Sequence, residues 1–136
     1  MDHDHLTEHA RNAFRDDRFA AQAGISIVAV GTHEATCHLT LGEHHRNARG
    51  AAMGGVLFTL ADFAAAAAAN SECLDNLQWV SLDSTIHYLS PAFGGTLEAR
   101  CTALKAGRTT ALFQTEIDNL DDGKRIAIVE TTMIHV

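Results

Sequence analysis

The sequence predicts an α+β domain in which an antiparallel sheet of about six strands wraps around one central apolar helix. Three observations carry this. The segment Ala51 to Ser71, AAMGGVLFTLADFAAAAAANS, is a helical stretch with almost no polar face, the pattern of a helix enclosed by other elements. Both of its flanks contain short runs in which apolar and polar residues alternate, the period of a half-buried strand. The turns between the later runs are short, and short turns join antiparallel neighbours.

The elements follow in order. His5 to roughly Ala21 sets Leu6, Ala10, Phe14 and Phe19 at helical spacing, so these four are the expected buried side of an N-terminal helical segment, residues 1–22. Ile25 to Val30 is a short β-branched strand bounded by Gly24 and Gly31. Gly31-Thr32-His33 turns the chain into a second strand, where Ala35, Cys37, Leu39 and Leu41 alternate with Glu34, Thr36, His38 and Thr40. Gly42 to Gly55 holds four glycines and reads as an irregular loop. The central helix runs from Gly54 to about Asn70, and its run of alanines from Ala64 to Ala69 lets it lie close to a curved sheet. Four strands follow. Val80, Leu82, Ile86 and Tyr88 are expected on one face of the first, which ends at Pro91. Leu97, Ala99, Cys101 and Ala103 share a face of the second, Gly107 turns the chain, and Ala111, Phe113 and Ile117 face one way in the third. Asp122-Gly123 signals a two-residue hairpin, and Ile126 to Val136 closes the chain as a strand buried on both faces in its first half.

The chain has 136 residues, the size of one domain, read as residues 1–136. Its formal net charge of −7 argues against nucleic acid, whose phosphates need clustered Lys and Arg. The polar, acidic start MDHDHLTEH is not a secretory signal, and the most apolar run is rich in small residues and interrupted by Asp62, a poor membrane span. Three cysteines, Cys37, Cys73 and Cys101, lack metal spacing and read as reduced thiols. The expected location is therefore cytoplasmic. Nine histidines form no zinc motif, so no metal is expected.

The chemistry centres on Asp62. It lies about two turns past the helix start, too deep to be an N-cap, and an ionised carboxylate among apolar neighbours is costly unless it is paired or wetted. It either pairs with a basic group or faces solvent, or it is held in a partly desolvated pocket as a base or nucleophile. Gly54 and Gly55 open the helix, where free N–H groups and the helix dipole can polarise a carbonyl oxygen. Eight residues separate Gly54 from Asp62, roughly 12 Å along a helix axis. One substrate carbonyl cannot meet both on the same helix. If both serve one reaction, they come from two helices side by side in opposite senses, which predicts a two-fold dimer with its sites at the interface.

Asn47-x-x-Gly50-x-x-Met53-Gly54-Gly55, followed by Leu57-Phe58-Thr59-Leu60-Ala61-Asp62 and Asn70-Ser71, resembles the signature of hotdog-fold acyl-CoA thioesterases, and most closely the phenylacetyl-CoA thioesterase (PaaI-like) group. Val80 to Pro91 and Gly107-Arg108-Thr109 extend the resemblance over nearly the whole chain after residue 20. It implies a hotdog fold, an acyl-CoA substrate that is hydrolysed to a carboxylate and free coenzyme A, no cofactor, and a homodimer that often pairs into tetramers. It implies Asp62 as the catalytic carboxylate, Gly54 as the backbone donor to the thioester oxygen, Asn47 as a polar residue beside the site, and Ser81 as a hydroxyl that helps place water. Met53, Gly55, Gly107, Arg108 and Thr109 fall at substrate-contacting positions. Many members carry histidine at the position of Met53, and methionine neither donates a hydrogen bond nor titrates. Either activity is tuned differently here or Met53 simply packs. For the phosphates of coenzyme A, the basic candidates are Lys105, Arg108 and Arg100 near one hairpin, and Arg46 and Arg49 at the helix entrance. His45 and His87 are possible bases without a nameable partner. The rival readings are an idle acyl-CoA binding module on the same scaffold, and a dehydratase or isomerase. The latter usually needs a histidine with an acidic partner, and the central helix has no such pair.

Overall fold

The computed structural model describes residues 3–136. Ten elements follow one another: α1 (His3–Ala13), α2 (Arg18–Ala23), β1 (Ser26–Gly31), β2 (Glu34–Thr40), a single 3-10 turn (Glu43–His45), α3 (Gly54–Ala69), β3 (Trp79–Tyr88), β4 (Thr96–Ala106), β5 (Thr110–Asn119) and β6 (Arg125–His135). The six strands form one sheet in the order β1-β2-β4-β5-β6-β3, and every neighbouring pair is antiparallel. Helix α3 packs on all six.

Alternation decides which strand faces meet α3. Ala35, Cys37 and Leu39 of β2, Leu97, Ala99 and Cys101 of β4, Ala111, Phe113 and Ile117 of β5, and Ala127, Val129 and Met133 of β6 are all buried. They close over Leu57, Leu60, Ala61, Ala64, Ala65 and Ala68 of α3. Small alanines bring the helix near the sheet, and the larger residues come mainly from the strands. Burial pushes the Cys37 and Cys101 thiols up to about 12, so neither is ionised at neutral pH. Cys37, Cys73 and Cys101 are all free.

The outer face of the same strands is charged. Arg100 on β4 contacts Glu98, Glu116 and Asp118, Arg125 on β6 contacts Glu116 and Asp118, and His38 on β2 meets Glu98 at 2.8 Å. Arg100 is therefore held within this network, which corrects its reading as a contact for coenzyme phosphates.

Four further expectations need correction. The N-terminal segment is two helices, because Asp17 starts a new one: its side chain accepts the Ala20 N–H at 3.1 Å. Phe19, in the first turn of α2, consequently points out and is 71% exposed, whereas Leu6 and Ala10 are buried. The turn before β6 is five residues, 120–124, and not two. Asp122 accepts the Lys124 N–H, and Gly123 takes the positive φ of 75°. Finally, Val80, Leu82, Ile86 and Tyr88 do not share one face. The pairing of β3 with β6 shifts between Ser81 and Asp83, and such a bulge reverses the alternation beyond it. Ser81 faces Met133, and Ser84 and Ile86 face Thr131 and Val129, all three of them buried on β6. Val80 and Leu82 are left exposed on the edge of the sheet.

Candidate active site

The site begins where the loop after β2 enters α3. Met53 is extended and precedes the helix. Its N–H donates to the His45 carbonyl at 2.8 Å, and its own carbonyl accepts the Val56 N–H at 2.9 Å. His45 is buried. Its Nδ1 accepts the Gly42 N–H at 2.9 Å and its Nε2 meets the Ala23 carbonyl at 2.6 Å. The ring thus ties the end of α2 to this loop, and both nitrogens are committed to holding structure. The N–H groups of Gly54 and Gly55 lie in the first helical turn, where the helix offers no acceptor, and neither has a hydrogen bond among the described residues.

A tyrosine side chain closely approaches Gly54. A Cβ there would stand 2.9 Å from the Tyr88 hydroxyl, which donates to the Gly54 carbonyl at 3.2 Å. At Gly55 the same Cβ would meet nothing within 4 Å. Asn47 organises the approach: its Oδ1 accepts the N–H groups of Arg49 and Ala51 at 2.9 and 3.1 Å, and Gly50 turns with a φ of 84°. Its side-chain amide N–H groups have no partner among the described residues. Asn47, Arg49, Gly54, Leu57, Tyr88 and Phe93 line a cleft of about 490 Å³ on this side of the helix entrance. On the other side, Met53 and Gly55 line a second cleft of about 440 Å³.

Asp62 lies two turns further along α3 and is half-buried. Its Oδ1 accepts the hydroxyl of Ser81 at 2.7 Å, and no cationic side chain pairs with it among the described residues. Ser81 also lies 3.4 Å from the Met133 sulfur. The β3 bulge is what turns Ser81 toward the helix, so this pair depends on a backbone irregularity that alternation does not announce. The sequence also understates Asn70. It ends α3 as expected, but its buried amide does more: Nδ2 donates to the carbonyls of Ala66 and Trp79, and Oδ1 accepts the N–H groups of Gln78 and Trp79. One side chain joins the helix end to the start of β3. The sequence signal was present, since Asn is a frequent terminator, but its partners arrive only eight and nine residues later.

Within one chain the expected site residues fall into separate groups. Asn47 and Gly54 share the first cleft, whereas Asp62 and Ser81 form a pair that does not line it. Gly107, Arg108 and Thr109 stand at the opposite end of the sheet from Gly54. The Thr109 carbonyl accepts the His135 N–H at 2.9 Å, and His135 pairs with Trp79 at the start of β3, while Gly54 sits against Tyr88 at its end. That span is about 30 Å of strand. Gly107 has a steric role, because a Cβ there would lie 2.3 Å from the Thr110 carbonyl oxygen. Arg46 is used locally, donating to the carbonyls of Gly50 and Phe93. Arg49, Lys105 and Arg108 are exposed and form no ion pair among the described residues. His87 is exposed on β3, facing away from α3 beside Ile128. Among the described residues no group of three or more His, Cys, Asp or Glu could hold a metal ion, and no helix is long and apolar enough to cross a membrane.

Known proteins resemble this chain in sequence and fold. The profile of the Thioesterase superfamily matches residues 49–126. The acyl-coenzyme A thioesterase PaaI of Escherichia coli is 33% identical over 113 residues, which cover 82% of this chain and 79% of that protein. Human acyl-coenzyme A thioesterase 13 is 32% identical, over 76% of this chain and 74% of its own. In three dimensions, the E. coli PaaI protein from the phenylacetic acid degradation operon superposes with a TM-score of 0.85 at 28% identity, over 96% of each chain. This chain belongs to the thioesterase superfamily, as a PaaI-like thioesterase of the hotdog fold.

Proposed function

We propose that this thioesterase hydrolyses acyl-CoA at two equivalent sites in a homodimer, each built from both protomers. The observation that carries the reading is the state of Asp62: a half-buried carboxylate on the central helix that accepts a serine hydroxyl and has no cationic partner among the described residues. Ser81 occupies one carboxylate oxygen, which leaves the other for a water or a thioester carbon.

The dimer follows from reach. Gly55, Phe58, Thr59, Asp62 and Ala66 recur at helical spacing on α3 and are exposed or half-buried. Beside them, β3 is one of the two edge strands, with Val80 and Leu82 exposed. Exposed apolar edges favour pairing with another chain. Two copies set with their α3 helices side by side and antiparallel bring the Gly54 end of one toward the partner's Asp62, and turn the hairpin at Arg108 toward the neighbouring cleft. Pairing of such dimers into tetramers is a further expectation of the same reading.

In this arrangement the Gly54 N–H donates to the thioester carbonyl oxygen and stabilises the negative charge that develops on it. The partner's Asp62 takes a proton from water as the oxygen adds to the carbonyl carbon. The tetrahedral intermediate then collapses, the C–S bond breaks, and the thiolate receives the proton. Direct attack by the carboxylate, giving an anhydride that water then opens, satisfies the same geometry. Asn47 supplies free amide N–H groups beside Gly54. The reaction requires no cofactor, and three unpaired cysteines fit a cytoplasmic setting.

The test is thiol release from a panel of acyl-CoAs, with binding measured in parallel. Asp62→Asn should lower kcat by a factor between about 10² and 10⁴ while the variant keeps its fold and dimer mass. Full activity in Asp62→Asn removes the mechanism. Binding without thiol release in the unaltered protein replaces the enzyme with an idle acyl-CoA module.

A further inference from the structure

The sheet has two free edges, β1 and β3, and the chain treats them differently. Along β3, side chains bond the backbone only at Trp79, through Asn70, among the described residues. Along β1, backbone groups are taken by side chains of α1. The Val30 N–H donates to the Thr7 hydroxyl oxygen at 3.0 Å. Arg11 Nε donates to the Ile27 carbonyl at 3.0 Å, and its Nη2 to the Val28 carbonyl at 3.4 Å. These carbonyls lie at the bulge between Ile27 and Ala29, where pairing with β2 is irregular. Glu8, one turn earlier on α1, pairs with Arg11 and holds its guanidinium in place. Leu6, Thr7, Ala10 and Arg11 share one side of the helix. Leu6 and Ala10 are buried in the core, and they keep Thr7 and Arg11 over the strand.

We propose that α1 is a stop on sheet growth: through Thr7 and Arg11 it closes the β1 edge to a second copy of this chain. An open edge is a template for another strand unless a charge, a proline or a covering element blocks it. β1 reads SIVAVG, with no charge and no proline of its own, so the covering falls to α1. The partner excluded is another copy, because a charge-free strand with two valines and an isoleucine is complementary to itself. Its six residues also match the length of an ordinary strand. The need for a stop follows from symmetry. Two chains paired through β3 about a two-fold axis leave their β1 edges at the two ends of the joined sheet. A second two-fold contact at those ends would not close, and would add dimer to dimer in an open ribbon. The β3 dimer is taken from the reading above, whereas the contacts between α1 and β1 stand without it.

Sedimentation of the full-length protein over a wide range of concentration tests this. Unaltered protein should hold one mass. Thr7→Val combined with Arg11→Ala keeps Leu6 and Ala10 and bares the edge. Its weight-average mass should rise about fourfold or more at the highest concentration, with thiol release per chain unchanged in dilute solution. Adding Val28→Lys puts a charge on the bared edge and should restore the original mass. A folded double variant that keeps the original mass overturns the proposal. Growth that survives Val28→Lys does not run through β1 and overturns it equally. Should the double variant fail to fold, Arg11→Ala alone, a half-exposed side chain, carries the same comparison. A monomeric unaltered protein would refute the β3 dimer instead. The double variant should then become a dimer through β1, and a variant that stays monomeric overturns the stop. Absence of thiol release from any acyl-CoA refutes the thioesterase chemistry and leaves these masses to decide the stop on their own.

Discussion

Strands β3 and β4 are nearly equal in length, and their sequences alternate alike, yet they do opposite work. β4 lies in the interior of the sheet: Leu97, Ala99 and Cys101 are buried beneath α3, and its outer side chains enter an ion-pair network. β3 lies at an edge, buries no residue fully, bulges after Ser81, and turns the Ser81 hydroxyl to the Asp62 carboxylate. The interior strands carry the buried core, including the fully buried Thr115 of β5 and Thr131 of β6, and β3 carries the hydroxyl that meets the one carboxylate on α3.

Four perturbations would break or sharpen this contrast. The largest concerns the interior. Phe113→Ala on β5 removes a buried ring and should destabilise the protein by about 3–5 kcal/mol, read by urea unfolding; a small loss would mean that the inner face is not the source of stability. Next, Ser81→Ala on β3 deletes a hydrogen bond to a charged group. Such bonds are worth about 1.5–3 kcal/mol, so kcat should fall roughly 10- to 100-fold with little change in unfolding midpoint. A stability loss without a kinetic one would make Ser81 structural, like the buried residues of β4. Third, Leu82→Asp puts a charge on the exposed edge and should raise the dimer dissociation constant roughly tenfold or more, seen by sedimentation. An unaltered constant would move the interface away from β3.

The smallest effect concerns the outer face and acid. His38 and then Arg100 hold Glu98 below the usual carboxylate range, and Arg125 and then Arg100 do the same for Asp118. A depressed carboxylate contributes stability that is fully present above its unfolded value, near pH 4, and is lost as pH falls through its folded value. Unfolding midpoints should therefore drop below about pH 4, and Asp118→Asn should flatten that drop. An identical acid limb in the variant would leave the network without energetic weight.

Much of this architecture can be read in the sequence, for a physical reason. Alternation reports burial wherever a strand has one dry face, so β2, β4, β5 and the first half of β6 could be placed by pattern. Apolar residues all round announce an enclosed helix, so α3 could be placed as well. Asp62 stood out because a carboxylate conflicts with that surround. The misses share a cause. The β3 bulge inserts one residue relative to a partner some fifty positions away, and spacing within the strand cannot register it. Phe19 matched helical spacing, but Asp17 capped a second helix and rotated the face. Arg100 looked like a solvent-exposed charge until pairing with β5 brought Glu116 and Asp118 alongside. Spacing places elements, whereas the partner of a polar group depends on strand pairing.

Asn70 and Tyr88 are worth weighing together. One pins the tail of α3 to the beginning of β3, and the other pins the end of β3 to the head of α3. The reactive acid and its serine lie between these two fastenings, like a latch on a door hung from both hinges. The stretch from 71 to 78 shares in the first of them, since Asn70 Oδ1 accepts the Gln78 N–H, Ser71 Oγ accepts the His33 N–H and Leu74 is buried. Losing either fastening lets helix and strand slip past each other.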